Sequence, residues 1–225
     1  MALTKYNYNS FDVTPVASKA MGFNSGANGL TSISPTSMVL IKTVTASTGD
    51  ATISFVDGTS DVVLDNTYPV YLFKWINVHP SNDGWRLTFQ GNAAGGSGYN
   101  ETITSTHFKA QNNEAGTATA FAYQTGGDQA QGTGFQPIGM DLGSDADQSC
   151  CGELWLFNPS STTYTKHFIA TANDIGSSNF SVQSHVAGYF NTTSAIDEIR
   201  FQLSNIGTPI TLGSGTFKLY GIKDS

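Results

Sequence analysis

The sequence predicts an all-β protein, an antiparallel β-sandwich of jelly-roll-like type that follows an extended N-terminal arm. Roughly eleven short runs have a two-residue hydrophobic period and are separated by Gly, Pro, Asn and Asp turn clusters. Charged residues make up only 12% of the 225 residues, about half the usual share, which argues against long exposed helices. The hydrophobic content of 39% is enough to form a packed core.

Residues 1–37 are predicted to form the arm, and residues 38–225 a single β-sandwich domain. In the first segment the hydrophobic residues are scattered among Asn, Ser and Gly, and the segment contains Pro15 and Pro35. Such a segment can bury its apolar side chains only against another surface. We expect it to lie on its own domain or on a neighbouring subunit.

The first half of the domain has the clearer strand signals. Runs at 38–44 and 51–56 flank the turn Thr48-Gly49-Asp50, which indicates a hairpin. The run at 70–78 has large apolar residues at both parities, so both of its faces are expected to be partly buried. From 85 to 90, apolar residues alternate with Arg86, Thr88 and Gln90, which is typical of a strand with one face in water.

The second half begins with the glycine-rich segment 91–98, a predicted loop. No periodicity is visible over 124–152, and a short helix over 194–198 is an alternative to a strand there. Trp85 and Trp155 are in phase with strands, so we expect both in the core. Further strands are predicted at 101–109, 118–123, 153–157, 165–172, 182–190, 196–203 and 215–223.

Charge excludes two classes of partner. The net charge is −7 and the pI is about 4.8, with ten basic residues spread along the chain. Binding to nucleic acid or to an anionic membrane requires clustered Lys and Arg. No apolar run approaches the ~20 residues of a membrane span, and the N-terminus lacks the pattern of a signal peptide. We therefore expect the chain to fold in a cytosol.

The two cysteines, Cys150 and Cys151, are adjacent. Neighbouring residues of a strand point to opposite faces, so a disulfide between them would be strained. Two free thiols, one of them buried, are the expectation. A vicinal or an intermolecular disulfide is the alternative.

No catalytic motif is present, and we expect a protein without enzymatic activity or cofactor. The four histidines form neither H-x-x-x-H nor H-E-x-x-H, and the chain lacks a G-x-S-x-G elbow and a phosphate-binding loop. Asp197 and Glu198 are adjacent and should face opposite sides of a strand, which does not suit the paired carboxylates of a glycosidase.

One metal site is a candidate. Asp141, Asp145 and Asp147 form the densest acidic cluster of the chain, in a Gly-containing segment. Ca²⁺ prefers several carboxylate and carbonyl oxygens from a flexible loop, so these three residues could hold a structural Ca²⁺ ion. The spacing differs from that of an EF-hand, and solvated loop carboxylates are the alternative.

Three tyrosines, Tyr99, Tyr123 and Tyr164, lie beside predicted loops. Aromatic rings in such places can form a platform for a sugar or a protein, although packing in the core is an alternative for each.

The last third of the chain resembles virion structural proteins of marine tailed phages, especially cyanophages. The similar segments are 152–168, 186–201 and the terminal strand Gly215-Thr-Phe-Lys-Leu-Tyr-Gly-Ile, and 83–89 and 98–100 also fit. The resemblance spans about residues 38 to 223. It implies a structural component of a head surface or tail fibre, and it supplies no catalytic residues.

The resulting expectation is a phage virion protein that folds in the host cytoplasm, most simply a capsid decoration (cement) protein. Its partners would be capsid or tail subunits and further copies of itself, with a trimer favoured. The alternative is a tail-fibre or adhesin module that binds host-surface glycans through an aromatic or Asp-lined pocket in residues 91–150.

Overall fold

The structure, a computed structural model, describes residues 20–23, 30–33, 37–205 and 208–223. These residues contain sixteen strands, and within them there is no helix that is long and apolar enough to cross a membrane. The strands are β1 Ala20–Phe23, β2 Leu30–Ile33, β3 Met38–Ala46, β4 Ile53–Val56, β5 Val70–Pro80, β6 Arg86–Ala93, β7 Ile103–Asn113, β8 Thr119–Tyr123, β9 Ala130–Gly132, β10 Gln136–Pro137, β11 Cys150–Phe157, β12 Lys166–Ile175, β13 Phe180–Phe190, β14 Ile196–Asn205, β15 Thr208–Ile210 and β16 Leu212–Ile222.

Strands β1 and β2 form a two-stranded antiparallel ladder of their own, in which Ala20 pairs with Ile33 and Phe23 with Leu30. Apart from Ser37, the other residues of the predicted arm lie outside the described part of the chain, so its extended conformation stays a prediction. The described residues from 38 to 223 form one compact unit.

Within that unit, two antiparallel sheets pack as a sandwich, which confirms the predicted fold class. The large sheet has nine strands in the order β3-β16-β5-β11-β12-β13-β7-β8, and β9 also pairs with β7. The small sheet has the order β10-β6-β14-β15, and β4 also pairs with β14. Strands β11, β12 and β13 are consecutive neighbours because short turns join them, whereas β16 returns from the end of the unit to lie between β3 and β5.

Aromatic side chains fill the space between the sheets. Phe201 of β14 lies at the centre, 5.3 Å from the ring of Phe217 and 5.6 Å from that of Phe73. Phe89 of β6 meets Phe168 of β12 edge-on at 5.0 Å. Edge-on and tilted ring pairs of this kind add about 0.5–1.5 kcal/mol each to their area burial. The alternation seen in the sequence thus becomes a core shared by both sheets.

A bulge in β5 changes which of its residues face the core. Trp75 pairs with Gly152, but Val78 pairs with Cys150, so three steps on β5 match two on β11. Asn77, with φ of 52°, is the extra residue. As a result Val78 is fully buried with Trp75, although simple alternation assigned them to opposite faces.

One alternative is settled and one local expectation is wrong. The segment around Ser194–Glu198 is not helical: β14 begins at Ile196 and pairs with β6 and β4, which confirms the strand predicted at 196–203. Trp85 and Trp155 are only half-buried. For Trp155 the reason is that β11 turns Leu154 and Leu156 to the core and Trp155 to the opposite face. The fully buried tryptophan is Trp75.

The predicted wet face of β6 is also wrong. Thr88 and Gln90 are buried as completely as the apolar residues beside them. The Gln90 amide donates to the carbonyls of Glu101 and Gly134 at 3.0 and 2.9 Å, and Thr88 donates to the carbonyl of Gln202. The chain that follows β6 folds back over this face, so its polar groups are satisfied by protein rather than by water.

The first and the last strand of the unit, β3 and β16, are neighbours in the large sheet. Met38, the first residue of β3, pairs with Ile222, the last residue of β16.

Candidate interaction surface

The large sheet has an outer face that the small sheet does not cover. Across β11 and its neighbours, the residues that point away from the core include Trp155 and Ile169, which are direct cross-strand partners. Large apolar side chains that are more than a third exposed lie on this face at Met38, Leu40, Ile76, Phe108, Phe121, Tyr123 and Ile169. A concentration of apolar side chains on one exposed face marks an interaction site more often than scattered ones do.

An aromatic strip crosses one end of this face. The strip consists of Phe121 and Tyr123 of β8, Phe108 of β7 and His185 of β13. Phe108 pairs with both Tyr123 and His185 in the sheet, so the side chains share one face. Its ring lies 4.9 Å from His185, nearly parallel, and 5.5 Å from Phe121.

Polar groups continue the same face toward β5. Lys74 and Glu153 form an ion pair at 3.4 Å, and the indole N–H of Trp155 donates to Glu153 at 3.0 Å. A shallow apolar groove of about 350 Å³ is lined by residues of β7, β11, β12 and β13, among them His167 and Tyr189, whose rings lie 5.7 Å apart. The face therefore offers aromatic planes and hydrogen-bonding groups but little charge.

Strand β8 closes the large sheet at one side. All five of its residues are exposed, Phe121 to 74% and Tyr123 to 51%. The Tyr123 hydroxyl donates to Asp128 at 2.7 Å, and this bond to the carboxylate raises the pKa of Tyr123. Among the described strands, none pairs with the outer edge of β8.

The structure exposes all three residues of the predicted calcium site, here called the acidic loop. Asp141, with φ of 62°, accepts a hydrogen bond from the Ser177 hydroxyl, and the Asp145 carbonyl accepts one from the N–H of Gln148. In the described part of the chain, no group of three or more His, Cys, Asp or Glu side chains is arranged to hold a metal ion. The Ca²⁺ site stays a prediction.

The cysteines are both free, and only one is accessible, as predicted. Cys150 is fully buried and accepts a hydrogen bond from the Trp75 indole at 3.3 Å. Burial raises the pKa of the Cys150 thiol well above its usual value. Cys151 lies on the outer face beside Asn77.

The three tyrosines predicted beside loops have different environments. Tyr99 is buried, with the guanidinium of Arg200 3.7 Å above its ring, and burial raises its pKa together with its hydrogen bond to Glu198. Tyr164 is 71% exposed. Only Tyr123 belongs to the aromatic strip.

Two buried titratable groups lie away from this face. Asp174 of β12 is buried against the core, and its Oδ2 has no hydrogen-bond partner. Burial is the main cause that raises its pKa to about 8. His107 of β7 is fully buried, its Nδ1–H donates to the Gly127 carbonyl at 3.3 Å, and burial lowers its pKa.

Sequence reasoning missed most of the aromatic strip. Phe108, Phe121 and His185 are in phase with strands, which by itself indicates core. The one available signal was in β8, where Thr-Ala-Phe-Ala-Tyr has small residues on the parity opposite the aromatic rings.

No family model, curated protein or solved structure matches the chain.

Proposed function

We propose that this chain is a phage virion structural protein without enzymatic activity, a decoration (cement) protein on the capsid surface. The observation that carries the proposal is the outer face of the large sheet, where large apolar side chains such as Leu40, Phe121 and Ile169 stay exposed in the isolated chain. A protein that works alone would have little use for such a face, whereas one fastened to neighbouring subunits would bury it.

The surface chemistry supports the same role. Among the described residues, Lys74–Glu153 is the ion pair found, and its side chains are both partly exposed. Exposed ion pairs are screened by salt and contribute little to stability. The fold depends instead on its aromatic core, which suits a particle that leaves the host cytoplasm, where it folds, for a medium of different ionic strength. The resemblance of residues 38 to 223 to marine phage proteins points to the same place, and homo-oligomers are the expected setting.

The first experiment counts copies per particle. Virions purified from cultures that produce the protein are separated on a denaturing gel, and the band of this chain is compared with that of the major capsid subunit. A decoration protein gives hundreds of copies per particle. A few copies would contradict it and favour a tail component.

A second experiment tests attachment through the N-terminal segment. A chain that lacks residues 1–37 should remain folded but no longer enter particles, because the removed segment is the predicted anchor. Normal incorporation of the truncated chain would show that residues 1–37 do not attach it. Circular dichroism of the purified truncation checks that the loss is not a loss of fold.

The second candidate function is a tail-fibre or adhesin module that binds host-surface glycans. The observation in its favour is that Phe121 and Tyr123, within residues 91–150, are exposed, and that Tyr123 contacts the carboxylate of Asp128. Exposed rings with adjacent hydrogen-bonding groups can stack on a sugar face and bind its hydroxyls. Signals on a glycan array that Tyr123→Ala abolishes and Tyr164→Ala leaves unchanged would support it. Silence of the array would count against it.

A further inference from the structure

We propose that two copies of this chain pair through β8, antiparallel and about a two-fold axis at Phe121, so that the large sheets join into one continuous sheet. This inference concerns the self-assembly of the chain and stands on the edge geometry of β8, independently of the virion role proposed above, and it proposes a dimer in place of the trimer expected from the sequence.

The first step is the direction of the backbone groups of β8. Ala118 accepts a hydrogen bond from the N–H of Asn113, and Gln124 donates to the carbonyl of His107, so these pairs are the hydrogen-bonded ones of the β7–β8 ladder. Hydrogen-bonded and non-hydrogen-bonded pairs alternate along an antiparallel ladder. The N–H and C=O groups of the intervening residues therefore point to the free edge; these residues are Thr119, Phe121 and Tyr123.

The second step is that β8 lacks the features that prevent an edge strand from pairing with another chain. Soluble proteins usually guard an edge strand with charged residues, proline or a bulge. Strand β8 reads Thr-Ala-Phe-Ala-Tyr and has none of these, and its pairing with β7 shows no shift of register. The opposite edge strand, β3, contains Lys42 and a bulge in its pairing with β16. The two edges of the large sheet thus differ, and of the two it is β8 that carries no such protection within the part of the chain that the structure describes.

The third step is the register. A symmetric pair centred on Phe121 places Phe121 opposite its own copy and Thr119 opposite Tyr123. All three pairs then use the outward groups, which gives six backbone hydrogen bonds. A two-fold pair brings like charges together wherever the strand carries any, and β8 carries none. Glu114 and Asp128 lie outside the paired residues.

The fourth step is the apolar area and the strength it implies. A phenyl or phenol side chain covers roughly 150–250 Å². With Phe121 74% and Tyr123 51% exposed, the two rings offer roughly 250 Å² per copy. A stable interface buries about 800 Å² per partner. The pair is therefore a weak, reversible one, and its detection needs protein concentrations up to about 200 μM.

Mass measurement gives the first test. Multi-angle light scattering on the full chain from 2 to 200 μM should show a mass that rises from 23.9 kDa toward twice that value. Phe121→Pro removes an N–H that points to the free edge and leaves the β7 ladder intact, so it should weaken the dimer at least tenfold. Leu40→Lys, on the same face at the other edge, should leave the dimer unchanged. A wild-type chain that stays monomeric at 200 μM, or forms a trimer, overturns the proposal.

Cross-linking tests the register without depending on a proline. In a Cys151→Ser background, Phe121→Cys places two thiols on the two-fold axis, where the Cα atoms of a hydrogen-bonded pair lie about 5.5 Å apart. That distance fits a disulfide. Thr119→Cys is the matched control, since two copies of residue 119 would lie about 14 Å apart along the strand. Efficient linking of Phe121→Cys alone supports the pair, and equal linking of Thr119→Cys, or linking of neither, overturns it.

Discussion

Replacement of Asp174 by asparagine tests whether the folded protein holds this buried carboxyl in its protonated form. Asp174 is 1% exposed, its Oδ1 accepts a long bond of 3.4 Å from the N–H of Met140, and its Oδ2 has no partner. The charges that act on it are the carboxylate of Asp141, which raises its pKa, and the ammonium of Lys109, which lowers it. Burial outweighs both, so the folded protein holds the proton up to a pH of about 8.

The direction of the pH effect follows from comparing the two states. In the unfolded chain this carboxyl has its ordinary pKa of 3.8 and is ionised throughout the range from pH 5 to 8. The folded state binds one proton more, so the free energy of unfolding falls as the pH rises and levels off above about 8. One pH unit corresponds to about 1.36 kcal/mol, so the fall from pH 5 to 8 is at most about 4 kcal/mol.

Asp174→Asn binds no proton in either state and should not show this loss. We expect the variant to gain up to about 4 kcal/mol over the wild type between pH 5 and pH 8. A stability of 5–15 kcal/mol is usual for a domain, so a change of this size is easily measured. The titration of His107 is common to both proteins and cancels in the difference.

Urea unfolding of both chains at pH 5, 6, 7 and 8, followed by tryptophan fluorescence, gives the measurement. The matched control is Asp61→Asn, because Asp61 is exposed and asparagine tolerates its φ of 65°. The control should run parallel to the wild type at every pH. A constant difference between Asp174→Asn and the wild type would refute the assignment of a protonated buried carboxyl.

Three further predictions concern the thiols, a glycine and the acidic loop. A thiol reagent should modify Cys151 alone in the native protein and Cys150 only after denaturant is added; two fast-reacting thiols in the native state would contradict the burial of Cys150. Gly188→Ala should lower the free energy of unfolding by about 1–3 kcal/mol, because its Cβ would lie 2.6 Å from the carbonyl oxygen of Thr104; Gly134→Ala, with open space around it, should change it far less. If the acidic loop binds Ca²⁺, an excess of 100 times the Kd should stabilise the fold by about 2.7 kcal/mol, reversibly on chelation; an unchanged melting temperature would rule the site out.

The sequence predicted the fold class because a two-residue period has a single physical meaning. Alternation places one set of side chains in the core, and Ile199, Phe201 and Leu203 of β14 behave in this way. The predicted facing of individual side chains failed where a bulge interrupts the alternation along a strand. The extra residue at Asn77 moves Val78 to the core side, and a bulge of this kind leaves no hydrophobic signature.

The faces of β6 and β11 show a second limit. Gln90 looked solvent-exposed because it is polar, yet segments more than ten residues away supply its hydrogen bonds. Trp155 looked buried because it is large and apolar, yet the core-facing positions of its strand are occupied by Leu154 and Leu156. Residue type gives the average burial, while the tertiary neighbours decide it.

The interaction surface was the hardest part to foresee for the same reason. An exposed aromatic residue and a core one have the same period in a strand. Only the sheet order reveals that β8 is an edge and that Phe108 lies next to it.

The pairing of Met38 with Ile222 has a practical consequence for engineering this fold. Whatever is attached ahead of β3 and whatever is attached behind β16 leave the sandwich from adjacent points, on the side of the large sheet far from β8. A peptide or reporter joined directly before Met38 or directly after Ile222 would therefore start at the edge of the large sheet opposite β8. The same proximity makes the unit suitable for circular permutation, with a short bridge between these residues and new termini opened at the Gly95–Gly98 turn.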